Sequence, residues 1–200
     1  MSWHLGQVTR PKPGCLVNGD LWLCVERTDG TALIGICDGL GSGEPAREAA
    51  DAFDATVRTH ADRPVAEILS LCHTALLGTR GAAGALLQVD ATQRLVSYAG
   101  VGNIECRTRR DWEFHPLSAR GIIGAGLWRE PRVSQATYHP GEWLILHSDG
   151  LRGRFDLEYE LTRLTGIAQA EHRPQVLAEN LAGSHARDND DLTVLAVWLA

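Results

Sequence analysis

The stretch LIGICDGLGSGEPAREAA, residues 33–50, passes from an apolar, strand-like run into Asp38, crosses five residues of which three are glycine, and then opens a helix. Glycines between a strand and a helix first suggest a loop that cradles phosphate with backbone N–H groups. The residues disagree with that reading. Asp38 would repel an anion, and neither the lysine of a P-loop nor a complete G-x-G-x-x-G is present. A carboxylate that closes an apolar strand is better matched by a hard cation.

Working outward, GDLWLCVE (19–26) and TALIGICD (31–38) are strand-like runs joined by RTDG, whose Asp29-Gly30 pair is a hairpin signal. Asp20 opens the first strand and Asp38 closes its antiparallel neighbour, so both carboxylates are predicted at one end of a sheet. Downstream, a helix is expected over 45–60, with proline in its first turn and Ala46, Ala49, Ala50, Phe53 and Val57 at spacings of three and four. A second is expected over 64–77, carrying Val65, Ile68, Leu69, Cys72 and Leu76, with Asp62 as its N-cap. GALLQVD (84–90), LVSYAG (95–100), NIECRT (103–108) and WEFHPL (112–117) read as an antiparallel meander. RVSQATYHPGEWLILHSDG (132–150) reads as a strand, a Pro-Gly turn and a buried strand over 143–147 that again stops at Asp149-Gly150. Two weaker helical segments, 157–164 and 174–181, precede a last strand over 192–199, with Asp188, Asp190 and Asp191 just before it. This order predicts an antiparallel α+β fold with helices on the outer faces.

Composition narrows the function classes. A chain of 200 residues without a linker-like segment is expected to form a single domain over 1–200 with no appended sensor domain. No apolar run reaches membrane-spanning length and the N-terminal segment lacks a signal-peptide core, so a cytoplasmic protein without a membrane partner is expected. A net charge of −6 gives no basic footprint for nucleic acid. The local cluster RTRR at 107–110 reads as a solvated turn. Cys15, Cys24, Cys37, Cys72 and Cys106 are odd in number and form no C-x-x-C pair, which suits reduced core residues.

The distinctive feature is the recurrence of acids at strand ends: Asp20, Asp38, Asp149 and the 188–191 cluster. A lone Asp-Gly is ordinarily a turn, but four such acids, two of them after fully apolar strands, call for another explanation. Were they to converge, two carboxylates about 4 Å apart would repel by ~1 kcal/mol in water and ~4 kcal/mol at a protein surface. Protons or a cation must then offset the repulsion. Carboxylates and carbonyls suit Mg²⁺ or Mn²⁺, whereas the eight histidines lack zinc spacing and His147, within a strand, reads as structural.

VNGDLW (17–22), GICDGLGSG (35–43), GVGN (100–103), GIIG (121–124), GEWLILHSDGL (141–151) and DNDDLTVLAVWL (188–199) occur in the order found in metal-dependent serine/threonine phosphatases of the protein phosphatase 2C class. The sequence most resembles the compact bacterial branch of sporulation IIE-type phosphatases. That resemblance covers about 18–199 and implies a central β-sandwich of two antiparallel sheets flanked by helices, a four-layer αββα arrangement. It further implies two Mn²⁺ or Mg²⁺ ions at one end. Asp38 would bridge both, the Gly39 carbonyl and Asp20 (directly or through water) would serve one, and Asp149 and Asp190 would complete the other. Asp191 would stand behind the ligands. Asp188 competes with Asp190 for its role, and the distance to the following strand favours Asp190.

Asp38 and Asp149 would then act in catalysis through a metal-activated water that attacks phosphorus in line. The branch implies phosphoserine or phosphothreonine on a STAS-domain scaffold or antagonist of the stressosome type as partner, with a monomeric enzyme favoured. Ser42 departs from the pattern, since relatives often carry histidine there, and no general acid is evident. Arg10, Lys12 and Arg120 are within the range of substrate-contacting residues but read as solvated surface. Two rivals compete: a serine hydrolase built on Ser148, which lacks the G-x-S-x-G elbow, and a catalytically weak or silent phosphoprotein-binding module of the same fold.

Overall fold

Most of the long apolar runs form strands that are buried on both faces, which is why they lack the strict alternation of a half-solvated sheet. The structure, a computed structural model, describes residues 3–126, 128–167 and 169–200. In chain order the strands are β1 (Trp3–Arg10), β2 (Asp20–Glu26), β3 (Thr31–Gly39), β4 (Ala82–Asp90), β5 (Leu95–Val101), β6 (Glu105–Thr108), β7 (Ser134–Thr137), β8 (Glu142–His147) and β9 (Leu192–Leu199). The helices are α1 (Glu44–Thr59), α2 (Val65–Ala75), α3 (Leu157–Thr162) and α4 (Arg173–His185), with a 3₁₀ turn at Ala170–His172.

One sheet has the order β2-β3-β4-β5-β7 and the other β1-β9-β8-β6, every pairing antiparallel. Between them lies a core of Ile34, Ile36, Leu87, Tyr98, Leu146 and Leu195. The outer face of the five-stranded sheet packs Leu33, Cys37 and Leu86 against Phe53 of α1 and Ile68 and Leu69 of α2. On the other side, Ile145, Val194 and Ala196 pack against Leu177 and Leu181 of α4. Helices, sheet, sheet, helices: the four expected layers are present.

The β2–β3 hairpin forms because Asp29 Oδ1 accepts from the Thr31 N–H (3.0 Å) and hydroxyl (2.6 Å), while Gly30 supplies the left-handed φ of 87° that the turn requires. That turn fixes the register so that Glu26 faces Ala32 and, at the far end, Asp20 faces Asp38.

Several expectations need correction. The run 84–117 is not one meander. β4 and β5 pair, but at the Gly102 turn (φ 94°) the chain leaves their sheet, and β6 joins β8 in the other. WEFHPL forms no strand: Trp112, Phe114 and Pro116 are buried and alternate with exposed neighbours, yet the segment has no ladder partner and carries, at Pro116, a residue that cannot donate. Asp62 does not cap α2, whose N-cap is Pro64 without a side-chain bond. β1, which the sequence reading did not identify, pairs along its whole length with β9. The cluster at 107–110 is a solvated turn only at its end: Arg107 and Thr108 belong to β6, and Arg110 is an exposed turn residue. Arg107 lies 4.8 Å over the Phe155 ring, Arg110 pairs with Asp156 at 3.1 Å, and Arg109 pairs with Asp111 at 2.8 Å. All five cysteines are free, with Cys37 and Cys72 buried and Cys15, Cys24 and Cys106 partly exposed.

Candidate metal centre

At one end of the sandwich the two sheets deliver their acids by different routes. Asp20 and Asp38 are direct cross-strand partners in the β2–β3 ladder. Asp149 follows β8 and Asp190 precedes β9; because these strands are antiparallel neighbours with His147 opposite Val194, the two segments emerge side by side. Asp38, Asp149 and Asp190 line one cavity of about 250 Å³ together with Leu40, Gly41 and Asn103. Asp20 lies behind it, 2% exposed. Asp188 is exposed and does not reach the cavity.

Glycines make the close packing possible. A Cβ on Gly39 would sit 2.0 Å from the Ala46 carbonyl oxygen, so only glycine lets the end of β3 pass under the first turn of α1. A Cβ on Gly150 would likewise sit 1.8 Å from the Asp191 carbonyl oxygen. The Gly39 N–H donates to the Gly19 carbonyl at 3.1 Å.

Neighbouring groups hold the acids in position. The Ser148 hydroxyl donates to Asp20 Oδ2 (2.6 Å) and accepts from the Thr193 N–H (3.0 Å). Asn103 Nδ2 donates to Asp149 Oδ2 at 2.7 Å. Asp191 accepts from the N–H groups of Gly19 and Lys12, both at 2.8 Å, and so ties the loop before β2 to the loop before β9. Lys12 is therefore no free surface residue: it is half-buried, and its Nζ donates to Ser42 Oγ at 2.9 Å. Arg10 and Arg120 are exposed, as expected.

The electrostatics carry the signature of crowded carboxylates. Burial, then repulsion by Asp20, Asp149, Asp190 and Asp191, pushes Asp38 up to about 8. Burial likewise lifts Asp20 to about 7 against the opposing Ser148 hydrogen bond. Asp190 is raised by burial and then by Asp149. The buried Asp20 Oδ1 has no hydrogen-bond partner in the protein. Such an orphaned oxygen in an all-oxygen, acid-rich donor set fits a hard divalent ion. Among the described residues, no three His, Cys, Asp or Glu side chains close into a metal cage on their own. An ion held here would therefore draw part of its coordination from carbonyls and waters, as Mg²⁺ and Mn²⁺ can.

The serine-hydrolase rival does not survive this geometry. Ser148 is fully buried, its hydroxyl is committed to Asp20, and His147 Nδ1 lies 2.9 Å from the Ser148 carbonyl rather than from the hydroxyl. Sequence reasoning did not assign Asn103, the hydrogen bond by which Ser148 supports Asp20, or the anchoring of Lys12. The GVGN turn was the available signal for Asn103.

Residues 28–199 match the family described as Stage II sporulation protein E (SpoIIE). The chain belongs to the SpoIIE family. Consistent with that membership, it is 31% identical over 142 residues to the phosphoserine phosphatase RsbX of Bacillus subtilis, covering 70% of each chain. A solved chain from the bacterial stressosome, a modular system adapted to control secondary messenger signalling, is 28% identical with a TM-score of 0.87, covering 98% of this chain and 100% of that one. RsbX crystallised in complex with magnesium is 26% identical with a TM-score of 0.84, covering 99% and 96%. This SpoIIE-family member thus has the phosphatase 2C-like layering of its solved relatives.

Proposed function

We propose that this chain, a protein phosphatase by family, hydrolyses phosphoserine or phosphothreonine on a STAS-domain regulatory protein of the stressosome type, using two divalent ions held at the acid-lined end of the sandwich. The observation that carries the reading is the shared cavity of Asp38, Asp149 and Asp190, backed by the orphaned oxygen of Asp20. Asp38 would serve both ions, the Gly39 carbonyl and Asp20 one of them, and Asp149 and Asp190 the other. When bound, such ions supply an activated water and neutralise charge on the phosphoryl oxygens. Asn103 keeps Asp149 aimed into the cavity, and Asp191 fixes the loop that brings in Asp20. Ser148 holds one oxygen of Asp20, and the other has no hydrogen-bond partner in the protein. The RsbX resemblance and the stressosome relative support the choice of partner.

The test is hydrolysis of a small aryl phosphate, and then of a phosphorylated STAS-domain protein, with Mn²⁺ or Mg²⁺. Turnover that EDTA abolishes and a serine-directed phosphonate leaves intact is the expected result. Binding of the phosphoprotein without phosphate release would establish the silent-module alternative instead.

A further inference from the structure

Beside the carboxylates lies a second cavity of about 460 Å³ that shares Asn103 and Asp149 with the first. Its apolar wall is made by Ile104, Cys106, Pro116 and Leu117. Leu117 is 83% exposed, although Trp112, Phe114 and Pro116 of the same segment are buried. Single exposed leucines are ordinary; this one stands on the rim of a pocket continuous with the acid-lined site.

The pocket is pre-formed. Ser118 Oγ donates to the Ile104 carbonyl at 2.7 Å and lies 2.8 Å from the Tyr98 hydroxyl. Backbone bonds from Ala119 to Gly100 (2.8 Å) and from Gly102 to Ala119 (2.9 Å) hold the segment's far end against the β5–β6 turn. The charged groups in its lining are Glu105 and Asp149. Both are already engaged, Glu105 by Arg107 at 3.3 Å and Asp149 by Asn103 at 2.7 Å. An acidic occupant would be repelled; Glu105 is already paired with Arg107, and Asp149, held by the neutral Asn103 amide, also lines the acid cavity, so what this pocket offers a neighbouring side chain is its apolar wall.

We propose that this pocket takes an apolar side chain of the phosphoprotein substrate, one or two residues from the phosphorylated position, and so sets sequence preference. The inference rests on the phosphatase reading above. An extended peptide advances about 3.3 Å per residue, so a pocket sharing a wall with the reaction site meets only the nearest neighbours of the phosphoresidue.

The test uses the Mn²⁺-loaded full chain and phosphoserine hexapeptides that differ only in carrying Leu, Gly, Lys or Asp at the two positions on either side. At one of these positions Leu is expected to raise kcat/KM about tenfold or more over Asp. Leu117→Asp should lower kcat/KM on the Leu peptide at least about tenfold more than on an aryl phosphate, while Leu117→Met retains the preference. A flat profile in an active wild type, a preference for Lys, or a Leu preference that survives Leu117→Asp would overturn the inference alone. A wild type inactive on the aryl phosphate and on every peptide would overturn the phosphatase reading, and this inference with it.

Discussion

The two sheets bring acids to the same end of the sandwich in unlike ways. The five-stranded sheet presents Asp20 and Asp38 from within its ladder, fixed by hairpin register and lifted toward neutrality by burial. The four-stranded sheet presents Asp149 and Asp190 from segments just outside its strands, half-exposed and steadied by Asn103 and the Asp191 N–H. The ladder acids are thus costly to the bare fold, while the loop acids are held by hydrogen bonds that can be removed one at a time.

The largest expected effect probes the ladder side. Asp38→Asn should lower Mn²⁺-dependent turnover by more than about a hundredfold, beyond what loss of a supporting group alone costs. It should also abolish the rise in melting temperature caused by Mn²⁺ while raising the metal-free melting temperature at pH 8, because a repelled, buried carboxylate is gone. A variant that still gains stability from Mn²⁺ would show that Asp38 does not hold the ion. On the loop side, Asn103→Ala should cost about tenfold in turnover by freeing Asp149, with the metal-free melting temperature nearly unchanged. Equal losses in activity and stability would erase the distinction between the two sides.

A third test addresses the tie between them. Asp191→Ala leaves the Gly19 and Lys12 N–H groups without their acceptor and should cost about 1–3 kcal/mol in urea unfolding. An unchanged midpoint would mean that water replaces the carboxylate freely.

The mildest effects concern pH and Ser42. In the metal-free fold Asp20 and Asp38 hold protons up to about 7 and about 8, whereas an unfolded aspartate releases its proton near about 3.9. The folded chain therefore carries more protons across that window, and its stability should fall as pH rises from about 4 to about 8. Saturating Mn²⁺ should flatten the fall. Melting curves of EDTA-treated protein that rise over this range would contradict it. Ser42→His should preserve or increase turnover; a large loss would mean that the Lys12–Ser42 contact is itself used.

Legibility in the sequence divides along the same line. The Asp29-Gly30 turn is local, and a two-strand hairpin counted outward from it brings Asp20 opposite Asp38 without further information. The last strand, Leu192–Leu199, was equally clear, being an apolar run broken only by Thr193 after an acidic loop. β1 was not, because WHLGQVTR has no clean alternation and is a strand by virtue of a partner almost two hundred residues away. Segment 112–117 misled for the opposite reason. Its alternation reflects burial against the sandwich core and not pairing. Asn103 was invisible as a site residue, and Ser148 was legible only as a rival nucleophile, because their roles depend on contacts 46 and 128 residues distant in the chain.

Ser148 carries a consequence for motion. Its hydroxyl joins Asp20 of one sheet to the Thr193 amide of the other, so any charge captured by Asp20 is mechanically felt across the seam. Deuterium uptake at Thr193 should slow when cation occupies the site, making one amide in β9 a remote gauge of occupancy on β2.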